Sequence, residues 1–97
     1  MTAFVLGNDL PYHRLGITAS RKAIGNSVQR NRAKRVLRET FRLSEPSLSK
    51  LVNRYDWVLN AKAGVLSITT TQAKVEFEDI LQGVAEREAE DGRLLTA

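Results

Sequence analysis

The side chains most able to do chemistry in this sequence are basic, and they recur between positions 30 and 42 at the spacing of a helix. Successive helical residues lie about 100° apart, which gathers one largely basic set on a single side: Asn31, Lys34, Arg35, Arg38 and Arg42. The opposite side is mostly apolar: Ala33, Val36, Leu37, Thr40 and Phe41. Like charges four residues apart destabilise an isolated helix by roughly 0.2–0.5 kcal/mol per pair. A bound polyanion best explains this arrangement, because the guanidinium fork suits phosphate.

The net charge of +4 conceals a strong asymmetry along the chain. Residues 14–42 include nine basic side chains and one acid, Glu39, whereas residues 43–97 include six basic side chains and nine acids. A basic face of this kind indicates nucleic acid as the partner. The alternative is a solvated helix face, in which acidic residues would normally be interleaved with the basic ones.

Groups that could perform catalysis or hold a metal are few. The sequence contains one histidine, His13, and no cysteine, so neither a nucleophilic triad nor a cysteine-based zinc site can be assembled. Glu76, Glu78 and Asp79 fall on one predicted helix, whereas a metal-dependent nuclease needs carboxylates that converge from several elements. We therefore expect no catalytic residue and no metal bound by the protein alone, and we expect His13 to be a surface turn residue.

The length of the chain limits its architecture. A chain of 97 residues forms one domain with two layers of structure, which we expect over residues 1–90, with a frayed tail over residues 91–97. No apolar run approaches the roughly 20 residues that span a bilayer, and no signal peptide is visible at the start. We expect a cytoplasmic protein without a membrane partner.

The elements that must position the basic residues follow from the hydrophobic periodicity. Alternating or β-branched segments predict three strands, at residues 2–6, 14–20 and 55–61. One helix is predicted from Asn26 or Ser27 to about Leu43, and a second from Thr70 or Thr71 onward, each with a side-chain cap. The order β-β-α-β-α predicts an α+β fold, a small two-layer α/β sandwich, and we expect the first two strands to form an antiparallel pair.

The predicted second strand has one apolar face and one polar face. If Leu15 and Ile17 pack on the helices, Thr18 and Ser20 face outward beside the start of the basic helix. Phe4, on the first strand, is expected to be a core residue. Its alternative position is the open face of the sheet, where an aromatic ring can stack on an unpaired base.

The stretch from Leu15 to Phe41, LGITASRKAIGNSVQRNRAKRVLRETF, closely resembles the protein subunit of bacterial ribonuclease P. The resemblance begins with an apolar–Gly–apolar strand ending in Ser, the pair Arg21-Lys22 and the dipeptide Gly25-Asn26. The helix that follows contains three short motifs in order: Arg30-Asn31-Arg32, Lys34-Arg35 and Arg38-Glu39. It covers roughly residues 4–88. The family has an additional amphipathic helix before the first of these strands, so we expect one wall of its leader cleft to be lacking from this sequence.

This resemblance implies a mixed sheet, with the basic helix in a crossover between two parallel strands. It also implies that the protein binds the catalytic ribonuclease P RNA and the 5′ leader of precursor tRNA, while the RNA removes the leader with magnesium that is held mainly by the RNA. The positions that match the family's contacts to the catalytic RNA are Arg30, Asn31, Arg32, Lys34, Arg35 and Arg38. The positions that match its leader cleft are Phe4, Thr18, Ser20 and Lys22.

Three other functions fit parts of the sequence. A ribosomal-type RNA-binding protein could use the same basic helix without any processing role, and it would bind ribosomal RNA without stimulating precursor-tRNA cleavage. A DNA-binding helix would need a short turn before it, and the strand that precedes Gly25 argues against DNA as a partner. A free-standing nuclease is disfavoured because the acidic residues do not converge.

Overall fold

The computed structural model describes residues 1–96, with the side chains of residues 1–91. The three strands are β1 (Thr2–Gly7), β2 (Arg14–Thr18) and β3 (Tyr55–Asn60). The helices are α1 (Arg21–Ile24), α2 (Ser27–Leu43), α3 (Glu45–Leu48) and α4 (Thr70–Thr96), and a 3-10 helix spans Ala63–Ser67. The predicted strands and the two long helices are thus confirmed, whereas the short helical segments lack a periodic sequence signal and were not predicted.

The sheet has the order β1-β3-β2, with β3 antiparallel to β1 and parallel to β2. The predicted pairing of β1 with β2 is therefore wrong, because β3 lies between them. β3 has the most buried side chains of the three strands, Trp57 at 1% and Leu59 at 0% exposure, and a central strand has neighbours on both edges. The connection from β2 to β3 contains α2, which confirms the predicted crossover between parallel strands.

The hydrophobic core lies between one face of the sheet and the helices α2 and α4. Trp57 is at its centre, with ring centroids 6.5 Å from Phe41 of α2 and 5.5 Å from Phe77 of α4. Leu37 of α2 and Leu59 of β3 are fully buried in the same cluster. Two layers, one of strands and one of helices, follow from this packing, as the sequence predicted.

The helix α2 begins with a complete capping box at Asn26. Asn26 Oδ1 accepts a hydrogen bond from the amide of Gln29 at 2.9 Å, and Gln29 Oε1 accepts one from the amide of Asn26 at 3.0 Å. Gly25 precedes the cap with a φ of +124°, a backbone conformation that only glycine adopts without strain. The predicted start of the basic helix is confirmed.

The helix α4 begins at Thr70, one of its two predicted starts, and the hydroxyl that caps it is that of Thr69, one residue earlier. Thr69 Oγ1 accepts from the amide of Gln72 at 3.1 Å, and Gln72 Oε1 accepts from the amide of Thr69 at 2.8 Å. One side of the helix faces the core, since Ala73, Phe77 and Leu81 are buried. The predicted frayed tail, residues 91–97, falls mainly on residues outside those whose side chains are described, and it stays a prediction. No helix in the described part of the chain is long and apolar enough to cross a membrane.

The prediction that His13 is a surface turn residue is wrong. His13 is half-buried, and its Nδ1 accepts hydrogen bonds from the amide of Tyr55 at 3.0 Å and from Trp57 Nε1 at 3.1 Å. Because Nδ1 accepts from two N–H groups, the proton of the neutral ring lies on Nε2, which is 3.2 Å from the carbonyl oxygen of Leu48 and donates to it. The ring therefore joins the β1–β2 loop to the start of β3 and the end of α3.

Candidate nucleic-acid interface

The helix α2 is anchored by one side and exposes the other. Ala33, Leu37 and Thr40 are fully buried, and Val36 and Phe41 are half-buried. On the other side, the exposed members of the predicted basic set are Asn31, Arg35, Arg38 and Arg42, with Lys34 half-buried at the edge. The predicted division of the helix into an apolar and a basic side is confirmed.

The single acid of α2 neutralises only the C-terminal end of this basic side. Glu39 forms an ion pair with Arg42, three residues on, and this hydrogen bond holds the pKa of Glu39 below its ordinary value. Four other cations lie on this side of the helix or at its flank: Arg32, Lys34, Arg35 and Arg38. Among the described residues, no ion pair involves any of them. These four cations, together with Asn31, are called the basic stripe below.

Arg30 differs from the other matched cations. It is half-buried, its NH2 group donates to Ser27 Oγ at 3.2 Å, and its buried Nε lacks a hydrogen-bond partner within the described structure. A buried N–H group without a partner is unfavourable. Arg30 therefore lies at the edge of the interface, partly covered by the protein, whereas Arg32 on the other flank is exposed.

The sheet leaves one face open, and its nine outward positions form three rows across the strands β1, β3 and β2. The rows are Leu6–Asp56–Arg14, Phe4–Val58–Gly16 and Thr2–Asn60–Thr18. Phe4 is 63% exposed in the middle row, so the expectation that it is a core residue is wrong and its alternative position is the observed one. The loose alternation of β1 did not settle this point; its antiparallel register with β3 does.

The polar side chains of the first row, Arg14 and Asp56, form an ion pair with each other. Arg14 binds Asp56 through two hydrogen bonds of 2.6 Å, and Asn8 Nδ2 donates to the same carboxylate at 3.0 Å. The Arg14 hydrogen bonds, with that from Asn8, hold the pKa of Asp56 below its ordinary value. The cation of Arg14 is thereby satisfied within the protein, unlike the cations of the basic stripe.

The third row offers hydrogen-bonding groups. Thr18 Oγ1 donates to Asn60 Oδ1 at 2.9 Å, with Thr2 opposite Asn60 on the other neighbouring strand. Asn60 was not among the predicted site residues. The alternation of β3, which assigns Asp56, Val58 and Asn60 to one face, is the sequence signal that could have identified it.

The other two predicted cleft residues follow β2 directly. Ser20 is the N-cap of α1, and its Oγ accepts from the amide of Ala23 at 3.1 Å. Lys22 is exposed on α1, whose residues also contact α2. The chain thus passes from Thr18 through Ser20 and Lys22 to α2 within a few residues.

The described residues do not contain a group of three or more His, Cys, Asp or Glu side chains that could hold a metal ion. Two of the carboxylates considered in the sequence are engaged separately: Glu78 accepts from Ser47 Oγ at 2.6 Å, and Glu76 forms an ion pair with the amino group of Met1.

The fold and this interface define a class of small α+β proteins in which a helix with a basic side connects two parallel strands of an open-faced sheet. Within that class, the chain belongs to the ribonuclease P protein family, since the family model described as Ribonuclease P matches residues 1–85. The family that the sequence resembles is thereby confirmed.

Two relatives give the extent of the similarity. The chain is 46% identical to the ribonuclease P protein component of Natranaerobius thermophilus over 59 residues, and this aligned stretch is 61% of this chain and 48% of that protein. It is 40% identical to the ribonuclease P protein component of Haemophilus influenzae over 65 residues, a stretch that makes up 67% of this chain and 51% of that protein. The chain spans about half the length of these curated relatives.

Two solved structures share the fold. One is the Staphylococcus aureus RNase P protein, at 30% identity and a TM-score of 0.63, covering 82% of this chain and 70% of that one. The other, with a TM-score of 0.64 and 30% identity, is a mutant of the S. aureus protein described as defective in mRNA degradation activity; the match covers 82% of this chain and 64% of that one. The predicted fold class is confirmed by this agreement.

Proposed function

We propose that this chain is the protein subunit of a bacterial ribonuclease P, which binds the catalytic RNA through the basic stripe of α2. The observation that carries this proposal is the set of exposed cations without ion-pair partners in the described structure, on a helix whose other side is fixed in the core. Membership of the ribonuclease P family supplies the kind of polyanion. Arg30 would contribute from the edge of the stripe, and Arg32, Lys34, Arg35 and Arg38 would each neutralise phosphate charge.

The open face of the sheet is the proposed site for the 5′ leader of precursor tRNA. A single strand binds proteins by stacking its bases on aromatic rings while its phosphates follow cations. Phe4 offers an exposed ring in the middle row, and Thr18 offers a hydroxyl in the row beside it. Lys22 supplies a cation just after β2, and Ser20 holds the start of α1 in place.

In this proposal the RNA performs the hydrolysis with magnesium ions that the RNA holds, and the protein supplies positive charge and leader contacts. Basic side chains that neutralise phosphates replace part of the cation atmosphere around RNA. The protein should therefore lower the magnesium concentration that cleavage requires. The alternative, a ribosomal-type RNA-binding protein, shares the RNA contact and lacks this effect on cleavage.

The proposal is tested by cleavage of a precursor tRNA with a 5′ leader by a bacterial ribonuclease P RNA at low magnesium, with and without the protein. We expect stimulation that Arg32→Ala and Arg38→Ala each reduce. Arg87→Ala, which removes an exposed cation from α4, is the matched control and should leave the stimulation unchanged. RNA binding without stimulation by the unmodified protein would favour the ribosomal-type alternative, and absence of RNA binding would overturn the proposal.

A further inference from the structure

The open face of the sheet contains an amide group that is held in one orientation and is not fully used by the protein. Asn60 lies on the central strand, and its Oδ1 accepts the hydroxyl proton of Thr18 at 2.9 Å. An asparagine amide has two N–H donors besides this acceptor. Within the described structure, the Nδ2 donors of Asn60 have no hydrogen-bond partner, so the side chain presents donors to whatever lies on the face.

The position of Asn60 relative to the exposed ring of Phe4 suits the recognition of a base. Phe4 pairs with Val58, and Val58 precedes Asn60 by two residues on the same face of β3. Two residues of a strand span about 6.6 Å, which is close to the width of a base. Gly16, across from Val58 on β2, has no side chain to obstruct a ring placed over this row.

The other strong polar group that the central strand contributes to the open face is already engaged. The carboxylate of Asp56 accepts from Arg14 and Asn8, so the first row has little remaining capacity for a ligand. The unused donors of Asn60 lie instead at the end of the sheet where Lys62 follows β3 and Arg21 and Lys22 follow β2. Phosphates of a strand bound here would meet cations at that same end.

We propose that Asn60, oriented by Thr18, is a specificity-determining residue that reads an unpaired base stacked over Phe4 and Val58. Its Nδ2 donors select a keto base, uracil or guanine, over an amino base, cytosine or adenine. A carbonyl oxygen at position 4 of a pyrimidine or position 6 of a purine accepts these donors, whereas the exocyclic amino group of cytosine or adenine at the same position opposes them with donors of its own. The inference rests on the proposed function, because it takes the RNA leader as the strand on this face.

Uracil and cytosine provide the cleanest comparison, since they have the same ring size and differ at one edge in a carbonyl or an amino group. We would prepare one precursor tRNA with a leader of uridines and one with a leader of cytidines, and measure the affinity of each for the holoenzyme. The same two precursors bound to ribonuclease P RNA alone give the preference that the RNA contributes. We expect the protein to add a preference of about fivefold for the uridine leader, the factor that one ordinary hydrogen bond provides.

Three variants separate base reading from general binding. Asn60→Leu should abolish the added preference, and Thr18→Val should reduce it because the amide loses the group that orients it. Phe4→Ala should weaken the binding of both leaders equally and leave their ratio unchanged. A ratio that Asn60→Leu does not alter would overturn the inference while leaving the proposed function intact.

Two further results would also overturn it. An added preference for the cytidine leader that disappears in Asn60→Leu would mean that the amide presents its oxygen, opposite to the proposed orientation. Failure of the unmodified protein to assemble with the RNA would overturn the proposed function itself. The cleavage assay described above detects that failure separately, because its result does not depend on the leader sequence.

Discussion

At the scale of single residues, His13 illustrates how a residue that lacks a sequence pattern can hold several elements together. Its Nδ1 satisfies the backbone amide of Tyr55 and the indole N–H of Trp57, which is the most buried aromatic side chain of the sheet. The His13 ring also stacks on Tyr55, with centroids 6.0 Å apart. Loss of the acceptor would leave two N–H groups without a partner next to the core.

We expect His13→Phe to lower the free energy of unfolding by about 2–4 kcal/mol, since each buried donor left without an acceptor costs about 1–3 kcal/mol. His13→Asn should cost less, because Asn Oδ1 replaces Nδ1 as an acceptor. Urea unfolding followed by the fluorescence of Trp57, the single tryptophan, measures both. Equal losses in the two variants would show that the ring packing, and not the acceptor, is what the fold needs.

At the scale of elements, α2 combines a well-defined start with an exposed side that the fold does not use. The capping box at Asn26 fixes the first turn, and the buried residues Ala33, Leu37 and Thr40 fix the rotation of the helix about its axis. The basic stripe is thereby presented to solvent in a rigid arrangement. Stability and RNA binding should therefore respond to different residues of the same helix.

Removal of the cap tests the first of these roles. Asn26→Ala should lower the free energy of unfolding by about 1 kcal/mol, the usual cost of an N-cap, because the amide of Gln29 loses its acceptor. Gln82→Ala, which removes an exposed amide from the middle of α4, is the control and should change stability little. Denaturant unfolding of both variants provides the comparison, and equal effects would contradict the role assigned to the capping box.

Removal of a cation tests the second role. Arg38→Ala should leave stability unchanged but reduce the slope of log affinity against log salt for the catalytic RNA by about one unit, if it neutralises one phosphate. The measurement is RNA binding over a series of salt concentrations, with Arg87→Ala as the control. A salt slope equal to that of the unmodified protein would exclude Arg38 from the phosphate contacts.

At the scale of the whole molecule, Glu88 of α4 connects the last helix to the entry of the central strand. Its carboxylate accepts from the amides of Val52 and Asn53, each at 2.9 Å, and from Tyr55 Oη at 2.5 Å. Burial alone would raise the pKa of Glu88, but the hydrogen bonds from Tyr55 and from the two amides outweigh it and hold the pKa below its ordinary value of 4.5. The ionised form is therefore the one that holds the loop.

A carboxyl group with a lowered pKa in the folded state stabilises the protein above its ordinary pKa, and this contribution is lost as the pH falls through the folded-state pKa. Glu88→Gln should lower the free energy of unfolding by about 1–3 kcal/mol at neutral pH, since one of the three donors then faces an amide NH2 group. The difference between the two proteins should shrink as the pH falls below 4.5. Unfolding measured across this range checks the prediction, and a difference independent of pH would contradict it.

The sequence by itself determined the properties that depend on neighbours along the chain. The helical spacing separated the basic side of α2 from its apolar side, and the Asn26 and Gly25 positions fixed where the helix begins. The alternation of β3 placed Trp57 and Leu59 on the same face, which the structure buries. These features follow from local geometry, because side chains repeat every 3.6 residues on a helix and every two residues on a strand.

The tertiary structure decided which elements became neighbours. Periodicity predicts the residues that share a face of one strand, but it does not specify which strand lies beside it, so the central position of β3 and the exposure of Phe4 emerged only from the pairing. The same reason applies to His13 and to Asn60, whose partners Tyr55 and Thr18 are 42 residues away in the sequence. Contacts over such separations form only when the packing of the core brings the strands and helices together, and no local sequence pattern specifies that packing.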